Sequence, residues 1–299
     1  MLKKLGGFVS IVALLAIFAG CSANEQGATK EPEHNPPLMA DLDPNDPMTA
    51  VIQYGEEVFN ETNTVLPEKV GNELSCMSCH ADGGLSLSSS MVGVTTQYPQ
   101  YIPRAGHAVT LEDRINGCMV RSMNGEKLEA DSDEMRAMIS YLTYISEGIE
   151  VGADLPWRML NTMDEIPEPS IERGESLYSE KSCIACHAVD GSGTGANSGP
   201  ALWGDNSFND GAGLGRLTKM AGYIKNNMPI GASEPLTDQE AADLAAYLLS
   251  HDRPIWKGHD TDWPNGGRPT DIIDQQRREK IREGTFDWSE IKNVTSVNK

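Results

Sequence analysis

Cys183-Ile184-Ala185-Cys186-His187 and its earlier twin, Cys76-Met77-Ser78-Cys79-His80, decide the reading of this chain. A C-x-x-C-H string is the attachment signature of a c-type haem. Its two cysteines add to the porphyrin vinyl groups, and the histidine takes one axial position on the iron. Two copies call for two covalently bound haem c groups, one held by Cys76, Cys79 and His80 and the other by Cys183, Cys186 and His187. Zinc knuckles and disulfides also use C-x-x-C. The histidine in both copies, and the lack of further ligand pairs at zinc-site spacing, favour haem.

Upstream of the first motif, Lys3 and Lys4 precede an apolar run at residues 8–19. That run is far shorter than the roughly twenty residues a membrane-spanning helix requires. A charged start, a short apolar stretch and small residues make an export signal. The run closes on Phe18-Ala19-Gly20-Cys21, which resembles a bacterial lipobox. The resemblance implies that residues 1–21 are a lipoprotein-type signal peptide and that a lipidated Cys21 starts the mature chain. Phe18 stands where a Leu is usual, and an uncleaved anchor or ordinary secretion are the alternatives. All three place the protein outside the cytoplasm, where c-type haems are attached. The expected location is the outer face of the cell membrane, by lipid anchor, or the periplasm. Residues 22–47 are poor in apolar residues and rich in Pro, Asn and Glu, the composition of a disordered tether.

An internal repeat organises the rest. Asp131-Ser132-Asp133-Glu134 and Thr237-Asp238-Gln239-Glu240 both read as capping boxes. Met135, Met138, Ile139 and Leu142 follow the first; Ala241, Leu244, Ala245 and Leu248 follow the second at the same offsets, on the stripe of an amphipathic helix. Ahead of each haem motif lies another shared opening, Gly55-Glu56-Glu57-Val58-Phe59 and Gly174-Glu175-Ser176-Leu177-Tyr178. Each unit is therefore helix, C-x-x-C-H, loops and closing helix, which resembles the class I cytochrome c fold. The expected architecture is mainly α, with two tandem class I cytochrome c-like domains at 48–153 and 170–253. A linker at 154–169 joins them through Pro156, Pro167 and Pro169, and a C-terminal tail at 254–299 follows.

The second unit keeps close to that pattern. Gly199-Pro200-Ala201-Leu202-Trp203-Gly204 resembles the loop whose proline carbonyl accepts a hydrogen bond from the ligating imidazole, a contact that fixes the tautomer and raises ligand basicity. Tyr223-Ile224-Lys225-Asn226-Asn227-Met228-Pro229 resembles the segment that carries a distal thioether. Met228 is the expected sixth ligand of the second haem, with Met220 and Lys225 as alternatives.

Cys118 is left over. The chain has six cysteines; Cys21 is assigned to lipid and four to haem. A lone thiol in an exported protein implies an intermolecular disulfide or a reactive site. Around it the chain reads Arg114-Ile115-Asn116-Gly117-Cys118-Met119-Val120-Arg121-Ser122-Met123-Asn124-Gly125. Together with Val70-Gly71-Asn72, Tyr98-Pro99-Gln100-Tyr101, Arg104 and the 111–118 segment, this order resembles the dihaem thiosulfate dehydrogenase family over roughly residues 54–250. Members oxidise thiosulfate to tetrathionate, and some run in reverse. The resemblance implies that Cys118 ligates the first haem iron and that Arg104 and Arg114 bind substrate, with Ser122 donating a further hydrogen bond. By residue type alone His107, Met119 and Met123 compete with Cys118, since thioethers are usual haem partners. Arg121 and Lys127 read as solvated surface charges as readily as site residues.

The formal charge is −20, while thiosulfate and tetrathionate are dianions, so a local cationic pocket is required. The acidic balance argues against nucleic acid as a partner. Thiolate donation lowers a haem's potential and Met ligation raises it. Electrons are therefore expected to run from the first haem to the second, then to a redox partner, either a soluble or membrane-bound cytochrome or a quinone-linked acceptor. Two other classes stay open: a dihaem cytochrome that only carries electrons, and a haem-thiolate sulfotransferase that loads sulfur onto a carrier protein. The tail, with Trp256, Trp263 and Trp288 among turn residues, is expected to wrap over both units, with one short helix at 272–282 and no chemistry of its own.

Overall fold

Asp46 opens the first helix: its carboxylate accepts from Met48 N, and Pro47 occupies the first turn, where its missing N–H costs nothing. In this computed structural model, residues 32–159, 161–231 and 235–295 are described. The signal segment and Cys21 lie outside them. Helix α1 (Pro47–Asn60) buries Ile52, Gly55, Val58 and Phe59, and the single turn α2 (Thr62–Val65) follows. After the first haem motif, a short hairpin of β1 (Gln100–Ile102) and β2 (His107–Val109) leads into α3 (Leu111–Arg121). Thr110 and Asp113 form a full capping box at its start.

Helix α4 (Asp133–Tyr144) is capped by Ser132, whose side chain accepts from Met135 N. The box expected from Asp131 and Glu134 is thus a single serine cap, because the helix begins one residue later and Glu134 falls in its first turn. Met135, Ala137, Met138, Tyr141 and Leu142 are all buried. Helices α1 and α4 cross at Gly55, where an added Cβ would lie 2.0 Å from Ala137 O.

The second unit repeats this construction. Ser170 caps α5 (Ile171–Glu180), the haem motif contains the short α6 (Ile184–His187), and α7 (Leu217–Asn227) and α8 (Asp238–Ser250) follow. Here Gly174 makes the close crossing, 2.2 Å from an added Cβ to Asp243 O on α8. The capping box of Thr237 and Glu240 is present as expected. The stripe that follows it, from Ala241 to Leu248, is at most 5% exposed. Burial of each of its two leucines contributes about 1.5–3 kcal/mol.

Two segments depart from their sequence readings. Part of the stretch expected as a disordered tether packs on the first unit: His34 Nε2 lies 2.7 Å from Ser90 Oγ, its ring stands edge-on to Trp157, and Tyr144 donates to Leu38 O. Prolines already restrict this stretch, so a few polar contacts suffice to order it. In the tail, α9 spans Gln275–Arg282, shorter than expected. Asp274 caps it, and Ile272 instead bridges to Arg216. The buried Arg278 pairs with Asp210 at 3.1 Å, and β3 (Ile166–Pro167) runs parallel to β4 (Val294–Thr295), so tail, linker and second unit are tied together.

Candidate functional site

Each motif histidine is held by a backbone carbonyl. His80 Nδ1 lies 2.9 Å from Ser89 O, and His187 Nδ1 lies 2.8 Å from Pro200 O. The proline contact is the one the second unit's loop implied. In each case Nδ1 is the donor and Nε2 is left as the free lone pair, the tautomer an iron ligand needs. Burial pushes both imidazoles below the ordinary histidine range and keeps them neutral. Gly199 is required beside Pro200, because a Cβ there would lie 2.0 Å from Cys186 O.

The first unit leaves room for a porphyrin. A cavity of about 840 Å³ has Cys79, His80 and Cys118 on its walls. A smaller apolar recess adjoins these residues and is lined by Phe59, Cys76, Met91, Ile115 and Leu142 among others. None of the four motif cysteines is in a disulfide, and among the described residues no three His, Cys, Asp or Glu side chains converge as a zinc site would need. A porphyrin brings four of the six iron ligands itself. Two cysteines, one neutral imidazole and one opposing side chain per unit therefore fit haem.

For the opposing side chain in the first unit, Cys118 projects from the last turns of α3 into the cavity. Met119 and Met123 are 1% and 3% exposed and belong to the core. His107 sits on β2 at the cavity wall. In the second unit Met228 caps α7 with extended backbone and is partly buried. Lys225 is committed to an ion pair with Asp238, and Met220 is buried in the core.

Arg114 stands one helical turn before Cys118, and its Nη1 donates to the sulfur at 2.8 Å. Its charge interaction with Cys118 is the main reason the guanidinium is held above the ordinary arginine range, against burial. Much of the Arg114 surface is accessible, but it lines the cavity rather than the outer surface. Tyr98 also hydrogen-bonds it. Arg104 lies in the turn between β1 and β2 and donates to Gly211 O at 2.7 Å; burial lowers its pKa to about 10. Ser122 lines the same cavity, next to Arg121. The other motif residues are structural. Asn72 Nδ2 donates to both Ser122 O and Ser207 O, while Gly71 and Gly125 allow backbone approaches that a Cβ would block at 2.1 and 2.0 Å.

The tail supplies what sequence reading denied it. Asp262 pairs with Arg121 at 2.8 Å and stands 3.9 Å from Arg104. Trp263 covers the Arg104 guanidinium and Trp256 that of Arg121. Arg121 is thus a partly buried, paired wall residue and not a solvated charge; Lys127 lines the cavity as well. Tryptophans in a polar tail were the available signal, since indole faces attract cations. Arg158 from the linker and Arg216 and Lys219 from the second unit complete the wall. Among the described residues the lining holds Arg104, Arg114, Arg121, Lys127, Arg158, Arg216 and Lys219, against Asp113 alone.

Two cytochrome c folds, each with its attachment cysteines and an oriented histidine, define a c-type cytochrome carrying two covalently bound haems. Residues 55–151 match the SoxA/TsdA cytochrome c domain and residues 171–252 the cytochrome c domain. The chain is 39% identical to the thiosulfate dehydrogenase of Psychrobacter arcticus over 77% of its own length and 71% of that protein's. It is 40% identical to that of Allochromatium vinosum over 73% and 84%. The chain belongs to the thiosulfate dehydrogenase family. Among solved structures it resembles the thiosulfate dehydrogenase TsdBA of Marichromatium purpuratum in its as-isolated form, with a TM-score of 0.70 and 31% identity. That match covers 76% of this chain but spans only half the length of the solved one.

Proposed function

We propose that the chain oxidises two thiosulfates to tetrathionate at Cys118, with electrons passing from the first haem to the second and out to a cytochrome or quinone-linked acceptor. One observation carries this reading: seven cations and one carboxylate line the wall that Cys118 shares, and among the described residues only three of the cations are paired from behind, by Asp262 and Asp271, in a chain of formal charge −20. The two propionates of a haem would engage part of this charge; a carrier needs neither the surplus nor the thiol.

His80 and Cys118 would hold the first iron, and His187 and Met228 the second; the haems supply one-electron acceptors. The residues do the rest. Arg114 donates to the Cys118 sulfur and directs it, and Arg104 with Ser122 seats sulfonate oxygens. A guanidinium fork suits tetrahedral oxyanions better than an ammonium. The Cys118 thiolate bonds to the sulfane sulfur of one thiosulfate, and two electrons leave. The adduct then carries one negative charge. The sulfane sulfur of a second thiosulfate attacks the sulfur attached to Cys118, which releases tetrathionate and restores the thiolate. Each step is microscopically reversible, so the same site supports tetrathionate reduction.

The test is turnover of purified holoprotein with thiosulfate and an artificial acceptor, and with tetrathionate and a reductant. A protein inert in both directions would leave it a carrier. Export and anchoring through a lipidated Cys21 are part of the same proposal, supported by the 8–19 apolar run and the cysteine that ends it. Replacement of Cys21 by Ser should release the protein from the membrane fraction. No helix among the described residues is long and apolar enough to cross a membrane.

A further inference from the structure

The two units differ at the carbonyl that orients the motif histidine. In the second unit it belongs to Pro200, whose side chain can neither donate nor accept. In the first it belongs to Ser89, which adds a hydroxyl and is 6% exposed. Asn161 Nδ2 donates to Ser89 Oγ at 3.0 Å, Ser89 Oγ donates to Asn227 Oδ1 at 3.3 Å, and Asn227 Nδ2 donates to Asn161 Oδ1 at 2.9 Å. The three side chains close a ring in which each donates once and accepts once. Tyr223 also hydrogen-bonds the Ser89 side chain. Ser89 belongs to the first unit, Asn161 to the linker, and Tyr223 and Asn227 to α7 of the second.

We propose that Ser89 is a positioning residue, through whose hydroxyl the second unit holds the Ser89 carbonyl against His80 Nδ1–H and so sets the potential of the first haem. The physical link is short. Donation from Nδ1–H raises the basicity of Nε2, and a more basic axial ligand favours ferric iron. The carbonyl ends the short 3-10 turn Leu87–Ser89, outside any long helix. Without the ring the turn keeps its own bond from Ser89 N to Ser86 O but loses its side-chain ties to the linker and α7, and the hydrogen bond to His80 lengthens. The first potential then rises, and the drop that draws electrons toward the second haem shrinks. This inference rests on the assignment of His80 to the first iron.

The test is a redox titration of the holoprotein, followed optically and by electron paramagnetic resonance of the thiolate-ligated haem. Ser89→Ala and Asn161→Ala should each raise the potential of the first haem and leave the second unchanged. The expected size is about a tenfold fall in the equilibrium constant for passing an electron to the second haem, about 59 mV for a one-electron couple. Ser89→Thr keeps a hydroxyl and should stay near wild type. A wild-type first potential in either alanine variant would overturn the proposal, because the ring acts only if each of its three members matters. Equal shifts in both haems would mean general loosening and would also count against it. Absence of thiosulfate turnover would sink the enzymatic reading yet leave this measurement standing, since it reads potentials.

Discussion

Arg114 and Cys118 are four residues apart on one helix, and the guanidinium of the first donates to the sulfur of the second at 2.8 Å. The contact gives one arginine two tasks, to hold a thiolate and to meet a sulfonate. It also changes what substitution there means. Arg114 cannot be replaced without altering the sulfur's surroundings, so this is no remote cation.

Arg114→Gln should lower kcat/KM for thiosulfate about ten- to hundredfold. A hydrogen bond to a charged group is worth about 1.5–3 kcal/mol, and each 1.36 kcal/mol is about tenfold in rate. Tetrathionate reduction should fall in parallel, because both directions share one transition state. The thiolate resonance signal should shift but persist. Wild-type kinetics would remove Arg114 from the site.

Cys118→Gly should abolish both the low-spin thiolate signature and thiosulfate turnover while both haems remain covalently attached. Haem–iron analysis should still return two haems per chain. Survival of the thiolate signal would transfer the ligand role to another residue.

Asp262→Ala tests the tail. Its carboxylate is 6% exposed and shared by Arg121 and Arg104. Removal leaves two partly buried cations without their carboxylate, a loss of about 1–3 kcal/mol. A lower unfolding temperature and a reduced kcat/KM are both expected. Unchanged values in both assays would return the tail to a passive wrap.

Gly55→Ala and Gly174→Ala should each destabilise by about 1–3 kcal/mol, the usual cost of overpacking. Thermal unfolding measures it. Gly213, where an added Cβ meets nothing within 4 Å, is the control. A neutral Gly174→Ala would mean that the α5–α8 crossing yields easily.

His251 stacks on Trp203 at 4.0 Å, and burial, then Arg253 and Arg282, lower its pKa, against a backbone hydrogen bond to Tyr247 and the charge of Glu175. The native state thus favours the neutral ring. Above about pH 6.5 the residue is neutral in both states and adds no pH dependence. Below that, the unfolded chain takes up the proton first, so stability falls until pH reaches the lowered folded value. The slope approaches 1.36 kcal/mol per pH unit at most. His251→Gln should flatten this part of the stability profile; an unchanged slope would assign it elsewhere.

The sequence by itself determined the haem count, the two repeated units and their capped helices, because covalent attachment and helix periodicity are local codes. The family resemblance implied Arg114 as a substrate residue, but its contact with the Cys118 sulfur emerged only once α3 put residues four apart on one face. Only the tertiary structure decided that Asp262, Trp256 and Trp263 complete the cavity, and that residues 32–46 pack on the first unit. Those contacts join segments far apart in the chain, and no local periodicity records which distant side chains a fold brings together. The ring of Ser89, Asn161 and Asn227 is of the same kind: three ordinary polar residues in sequence, joined only where two units and their linker meet.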